Sequence, residues 1–442
     1  MKKILLALLP LALFGSNLSE IANKATQNEI SKIKELELKR ANLNDEATSS
    51  AYLPSLSLEG SYGKNASTFP SIVAKESAGV LARIDFLLYD GGAREARLKM
   101  NQLLKNKAAI ASDEAKNYLA FKAVNLYFNA CALENIIAAK NAQANFLKGV
   151  LDKLEKANKA GLAAKDELEN VRAKYHLANS TQLEYKNKME QILNEINLLT
   201  GEQISPLSGA KMAETGSNLA SKNAELDRLN QDIFISEAKL SETRAGFLPQ
   251  IMLYDTYGFY KNNYDIDLGK YSAYRPYLDK YLKEDTHGNK FGVSFRWKIF
   301  DFFATSKMSQ ASKIALDEAR LNLEYKKREN ETKLKNLQNE IATLSSKIAS
   351  LNEYVKASDL ALKASFEKYN SGLLGYSDLL EALSQKFDAI SLFEGAKDEL
   401  EIKKAEYFFE SGESILERIR IEKADNFNGI LHFFICRGGD FC

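Results

Sequence analysis

Cysteine, histidine and proline are nearly absent from this chain of 442 residues, and each scarcity closes a class of function. Cys131, Cys436 and Cys442 are too few and too poorly spaced for a disulfide framework or a zinc site. The three histidines, His176, His287 and His432, are scattered, so no metal and no cofactor are expected. Basic and acidic side chains balance, 60 against 59, without the basic excess that a nucleic-acid partner calls for. There is no phosphate-binding glycine–lysine loop, no Gly-x-Ser-x-Gly elbow and no paired-histidine metal motif, so the chain does not read as an enzyme. Beyond the N-terminal segment no apolar run reaches the length of a membrane-spanning helix. Only six prolines and 23 glycines interrupt the chain, which leaves room for long helices.

What is present begins with an export signal. Lys2 and Lys3 precede an apolar run, Ile4 to Phe14, broken only by Pro10 and followed by Gly15 and Ser16. This reads as a secretory signal over residues 1–18, cleaved between Phe14 and Ser19. No cysteine follows the run, so no lipid anchor is expected. An exported chain without a membrane-spanning helix is either soluble or enters a membrane through strands.

The chain repeats itself. Ala51 to Gly63 (AYLPSLSLEGSYG) and Gly246 to Gly258 (GFLPQIMLYDTYG) share Leu-Pro and Tyr-Gly at an offset of 195. Phe86 to Gly92 (FLLYDGG) matches Trp297 to Phe303 (WKIFDFF), and Asn158 to Leu168 (NKAGLAAKDEL) matches Tyr369 to Leu379 (YNSGLLGYSDL), both at an offset of 211. Three landmarks in one order indicate a duplication. The expected layout is a first copy over 19–200, a turn-rich linker over 201–218, a second copy over 219–423 and a tail over 424–442. Each copy reads as helix, strand, strand, long helix, turn, helix.

Strands are expected near 52–63, 78–89, 250–260 and 290–300. Leu56, Leu58 and Tyr62 alternate with Ser55, Ser57, Glu59 and Ser61; Val80, Ala82, Ile84, Phe86 and Leu88 form a second apolar row; Phe291, Val293, Phe295, Trp297 and Ile299 form a third. The segment 250–260 is aromatic on both faces. Rows about ten residues long suit membrane barrel strands, and equally a half-buried strand in a soluble sandwich. On the barrel reading, Leu56, Leu58, Tyr62, Phe86, Phe295 and Trp297 face the membrane.

The helices carry heptads. Leu334, Ile341, Ile348, Val355 and Leu362 form one row beside Leu337, Leu344 and Leu351. In the first copy Leu119, Leu126, Leu133, Leu147 and Leu154 run beside Ala123, Ala130, Ile137, Ala144 and Leu151, with Lys140 breaking the row. A sustained 3.5-residue spacing means supercoiled packing. The helix expected from Ala93 to Asn158 would extend about 100 Å at 1.5 Å per residue. An exported coiled-coil scaffold without channel activity is the alternative that these rows leave open.

Four strands cannot close a membrane barrel, whose smallest examples have about eight. An open sheet edge in lipid strands backbone groups at several kcal/mol each. If the strands enter a membrane, several chains must therefore share one barrel: two copies would supply eight strands and three would supply twelve. Export together with lipid-spanning strands points to the outer membrane of a Gram-negative cell, with the helices in the periplasm.

Taken in order, the signal, the duplicated helix–hairpin–helix unit, Leu-Pro at each strand entry and Gly-Leu at each helix–helix turn resemble the outer-membrane efflux factor (TolC-like) family over roughly residues 18–423. The resemblance implies a mainly α fold with a shared β-barrel. Three chains would form a 12-stranded transmembrane barrel, continued by a long coiled-coil α-helical periplasmic tunnel. It implies a passive exit duct for a tripartite efflux pump or a type I secretion system. The partners would be two further copies, a periplasmic adaptor, an inner-membrane pump and outer-membrane lipid. It implies adaptor contact at Gly161, Leu162, Gly372 and Leu373, and a gate at Asp378, Glu381, Tyr369 and Glu167.

Independently, the three-residue spacing sets Asp378 and Glu381 on one helix face. Repeated around a symmetry axis, such a pair forms an acidic ring that selects cations. Leu374 stands where the resemblance leads one to expect an arginine, which implies an apolar seal in place of an ionic latch. The plainer account of Asp378 is stabilisation of a helix start, with Ser377 as the cap. The nature of the cargo is not written in the sequence.

Overall fold

The computed structural model describes residues 18–66, 74–204, 209–216, 223–264 and 269–421. The export signal, apart from Leu18, and the tail with His432, Cys436 and Cys442 lie outside the described residues, as does part of the 201–218 linker.

Long stretches free of proline fold into long helices. In chain order the elements are α1 (Leu18–Ala25), α2 (Glu29–Ser50), β1 (Ser55–Lys64), β2 (Glu76–Tyr89), α3 (Ala93–Lys159), α4 (Lys165–Thr200), β3 (Ala210–Met212), α5 (Ala224–Ala245) and β4 (Gln250–Asn263). A short 3₁₀ turn, α6 (Arg275–Asp279), β5 (Asp285–Arg296), α7 (Ala304–Asn370), α8 (Tyr376–Glu410), α9 (Ile415–Arg418) and β6 (Ile419–Ile421) follow. The long elements of the two halves match: α2 and α5 have 22 residues each, and α3 and α7 have 67 each. The sequence did not signal the break between α1 and α2, the paired three-residue strands β3 and β6, or the helical insertion between β4 and β5.

The chain forms two compact units, and each draws on both copies of the repeat. Among the described residues, one lies within 36–109 and 228–324, and the other within 18–35, 110–227 and 325–421. The first holds a four-stranded antiparallel sheet in the order β1-β2-β4-β5. The expected strand 290–300 is corrected here, because β5 runs from Asp285 to Arg296. The cause is its partner: β4 begins at Gln250, which pairs with Arg296, and Pro249 before it has no N–H to extend the ladder. Trp297 therefore leaves the strand, and its indole N–H donates to the Phe247 carbonyl at 3.0 Å.

The second unit is a helical bundle with two apolar cores. In the first core, α3 contributes Leu119, Val124 and Tyr127, α7 contributes Leu334, and α8 contributes Tyr407 and Phe408, all at most 2% exposed. The second core gathers Leu147, Leu151 and Leu154 of α3, Leu168 and Val171 of α4, Leu362 of α7, and Tyr376, Leu379, Leu383 and Phe387 of α8. Most heptad positions are thus buried, although Leu133, Ile137, Ile348, Leu351 and Val355 are only half-buried. Lys140, which breaks the α3 row, reaches Asp388 of α8 at 3.0 Å. Cys131 is a buried free thiol, pushed up to about 12 by that burial and by nearby Asp398 and Glu134, which leaves it a packing residue.

A polar cluster fastens the small sheet to α8. Lys404 is 4% exposed and pairs with Glu401 at 3.1 Å and Glu214 at 2.9 Å, while the other Glu401 oxygen accepts from the Met212 N–H at 2.5 Å. Nearby, Asp398 Oδ2 is buried and has no hydrogen-bond partner among the described residues. Burial and the adjacent Glu394 and Glu401, only partly offset by Lys397, lift its carboxyl to about 7.

A carboxyl raised in the fold favours the protonated folded state. Its contribution is complete below the unfolded value, about 4, and is lost as pH rises through the folded value. We expect Asp398→Asn to remove this loss. The melting midpoint of the variant should exceed that of the parent by a few degrees at pH 7.5, with the gap closing towards pH 4.5, as followed by circular dichroism. A gap that does not change with pH would show that Asp398 does not titrate in this window.

Candidate functional site

Residues directly opposite in an antiparallel pair share a face of the sheet. One face collects Leu56 with Ile84, Leu58 with Ala82, Phe86 with Leu253, Val80 with Phe259, Leu253 with Val293, and Ile251 with Phe295. Leu56 and Leu58 are each 76% exposed, and Tyr62, Phe291, Val293 and Phe295 are at least 60% exposed, so most of this apolar surface has no cover among the described residues. Phe86 is half-buried on the same face, and Trp297 lies just past the end of β5. Asp255 interrupts the face and accepts from Asn289 Nδ2 at 3.0 Å.

The opposite face is polar. Ser57, Arg83, Thr256 and Lys290 line up across the four strands, and Arg83 makes a two-pronged pair with Asp85 at 2.7 and 3.0 Å. The mixed aromatic character of β4 resolves on this geometry. Tyr257 and Phe259 belong to the apolar face, while Tyr254 and Tyr260 lie on the polar one. There the tyrosine rings lie over glycines: a Cβ at Gly79 or Gly258 would overlap Tyr260, and one at Gly292 would overlap Tyr254. Arg83 and Lys290 both stand over the Tyr254 ring, at 5.9 and 5.8 Å. Among the described residues β1 and β5 are the edges of this sheet, and no helix is long and apolar enough to cross a membrane.

The two helix–helix turns have one geometry. Gly161 and Gly372 take left-handed angles, φ 76° and 71°. At the first, Leu162 N–H bonds back to Ala157 and Gly161 N–H to Asn158; at the second, Leu373 N–H bonds to Lys368 and Gly372 N–H to Tyr369. Each is a Schellman closure, which needs a residue at ease at positive φ. Leu162 and Leu373, next in line, are 84% and 79% exposed. Asn158 Nδ2 braces the first turn by donating to Ala163 O at 2.8 Å.

Around these turns the structure gathers some of the expected gate residues and leaves others apart. Tyr369 packs edge-on against Tyr376 with ring centroids 5.6 Å apart. Burial raises the Tyr369 phenol, and nearby Glu167 adds to the shift. Tyr376, which sequence reasoning missed, is buried, its phenol raised by that burial and its hydroxyl without a hydrogen-bond partner among the described residues. Asp378 and Glu381 stay exposed on α8, where Glu381 accepts from Gln385 at 3.4 Å. Leu374 is half-buried. The capping role considered for Ser377 is corrected: α8 starts at Tyr376, its cap position is Gly375, and no side chain bonds there. Asp378 does lie in the first turn, where a negative charge favours the helix. Among the described residues no cluster of His, Cys, Asp or Glu is placed to hold a metal ion.

A model of the outer membrane efflux protein family matches residues 32–202 and 216–405. Among solved structures, the outer membrane protein VceC from Vibrio cholerae is similar with TM-score 0.78 and 14% identity, covering 90% of this chain and 96% of that one. The CmeC outer membrane channel of Campylobacter jejuni is similar with TM-score 0.79 and 16% identity, covering 95% and 89%. The MtrE outer membrane channel of Neisseria gonorrhoeae, in its open state, is similar with TM-score 0.73 and 16% identity, covering 90% and 89%. A search of curated protein sequences finds no match.

Proposed function

The chain belongs to the outer membrane efflux protein family, and on that premise we propose that three copies form the passive exit duct of a tripartite efflux pump, gated at its periplasmic end. The observation that carries this is the sheet: four antiparallel strands, an apolar face running across all of them, and an edge at either side. In lipid both edges need partners. Three copies joined β5 to β1 supply them and close a ring of twelve strands, with the apolar face on lipid and the Arg83–Lys290 face on the lumen. An exported coiled-coil scaffold has no use for such a face.

The turns at Gly161 and Gly372 offer exposed leucines to a periplasmic adaptor, and an inner-membrane pump supplies the energy. Asp378 and Glu381, exposed in one copy, become an acidic ring in three, on the helix whose first residue, Tyr376, packs against Tyr369. Leu374 makes this seal apolar where an ionic latch was considered. Type I secretion would use the same duct with a different pump.

Planar-bilayer conductance of the purified protein tests the reading. We expect cation-selective channels, and in the variant with Asp378→Ala and Glu381→Ala a several-fold drop in the cation-to-anion permeability ratio together with a higher resting current. Wild-type protein that never conducts would remove the duct. A double variant with unchanged selectivity and resting current would remove the gate alone.

A further inference from the structure

Two consecutive phenylalanines, Phe302 and Phe303, hold left-handed backbone angles, φ 52° and 64°. Side chains with a Cβ avoid this region. The pair forms the turn from β5 into α7, at the positions that the first copy fills with Gly91 and Gly92, φ 76° and 89°. The two turns are otherwise alike. Asp90 accepts from the Arg94 N–H at 3.1 Å, and Asp301 accepts from the Thr305 N–H at 3.0 Å and the Thr305 hydroxyl at 2.5 Å. Phe302 is 86% and Phe303 68% exposed, and among the described residues their ring contacts are with Phe300, at 4.8 and 6.0 Å. Backbone strain at exposed aromatic residues points to a contact outside the chain.

The first copy shows what that contact is. Gly91 lies so close to the entry of β4 that a Cβ on it would stand 2.6 Å from the Ala245 carbonyl oxygen and 2.8 Å from Leu248 Cβ. By the Leu-Pro match, the counterpart of Ala245–Leu248 at the entry of β1 is Ser50–Leu53. Within one chain the β5 turn cannot reach that entry by the same route, because β1 and β5 are opposite edges of the sheet. Leu53, meanwhile, is 66% exposed.

We infer that Phe302 and Phe303 dock on the β1 entry of a second copy, against the partner subunit's Tyr52 and Leu53. The inference rests on the shared-barrel reading above and adds the joint that holds it. The joint inside the chain is a close backbone approach that only glycine allows. The joint between chains has a Cβ at each position and is built from aromatic side chains instead. Phenylalanine in a left-handed turn thus marks the seam between subunits.

Photo-crosslinking tests this. With p-benzoylphenylalanine at position 302 of the full-length protein in outer-membrane vesicles, we expect a two-chain adduct whose new bond maps to the peptide between Arg40 and Lys64. An adduct carrying a phospholipid mass, one within a single chain, or none would overturn the inference. Asparagine tolerates left-handed angles, so Phe302→Asn with Phe303→Asn keeps the turn while removing the rings. This variant should dissociate to monomers at a temperature lower by several degrees, and an unchanged dissociation temperature also counts against the joint. Native mass spectrometry of the parent in detergent separates the two levels: a monomer removes the shared barrel, whereas a trimer whose adduct lies elsewhere removes only the seam.

Discussion

Leu58→Arg should abolish recovery of trimer from the outer membrane, while Leu81→Arg should leave it within about twofold of the parent. The two positions differ in face and hardly in depth. Leu58 pairs with Ala82 and Leu81 with Glu59, so they occupy adjacent rows of the β1–β2 ladder. Leu58 is 76% exposed on the apolar face, where an arginine near the bilayer midplane costs about 2–4 kcal/mol. A trimer carries that penalty three times, which is comparable to the whole stability of an ordinary domain. Leu81 sits on the polar face opposite Glu59, and an arginine there meets an opposite charge in water. Heat-modifiable trimer in isolated outer membranes is the quantity to measure. Equal damage from both variants would mean that the sheet does not separate lipid from lumen. Damage from Leu81→Arg alone would mean that the faces are assigned backwards.

The features legible in the sequence are those that a periodic solvent boundary writes into it. Leu56 and Leu58 alternate with serines because one side of β1 is apolar, and Leu334, Leu337 and Ile341 recur because α7 packs on neighbouring helices. Gly161 and Gly372 were legible because a Schellman turn tolerates little else. What stayed hidden depends on partners distant in the chain. β3 and β6 have three residues each, too few for a period, and β3 is anchored by Glu401, 189 positions from the Met212 N–H it accepts. The end of β5 is set by where β4 begins, not by the residues Trp297 to Phe300, which continue the alternation with no strand paired to them among the described residues. Tyr376 gave no signal because a buried tyrosine in a first helical turn resembles any core residue until Tyr369 is seen against it. The Asp-Gly-Gly and Asp-Phe-Phe turns were matched as landmarks, but only the φ angles show that both adopt one conformation and that one of them is strained.

Leu162→Asp combined with Leu373→Asp should reduce the export that the protein supports in cells to the level of a strain without the gene, and leave trimer yield and bilayer conductance unchanged. Neither leucine belongs to the apolar core beneath the turns, which is built from Leu151, Leu154, Leu168, Leu379 and Leu383, so the fold does not depend on them. An adaptor that covered them would gain about 1.5–3 kcal/mol for each leucine buried. An aspartate in the same place loses that gain and adds the penalty of a charge without a partner. Every 1.4 kcal/mol is tenfold in affinity, so one altered turn suffices for about a tenfold loss, and a trimer presents two turns from each of three copies. Leu162→Met with Leu373→Met keeps the apolar volume and should retain most of the efflux. If the aspartate variant pumped as well as the parent, the exposed leucines would not be the docking tip, and the adaptor would have to grip the helices elsewhere. If it lost conductance too, the turns would belong to the gate proposed at Tyr369 and Asp378.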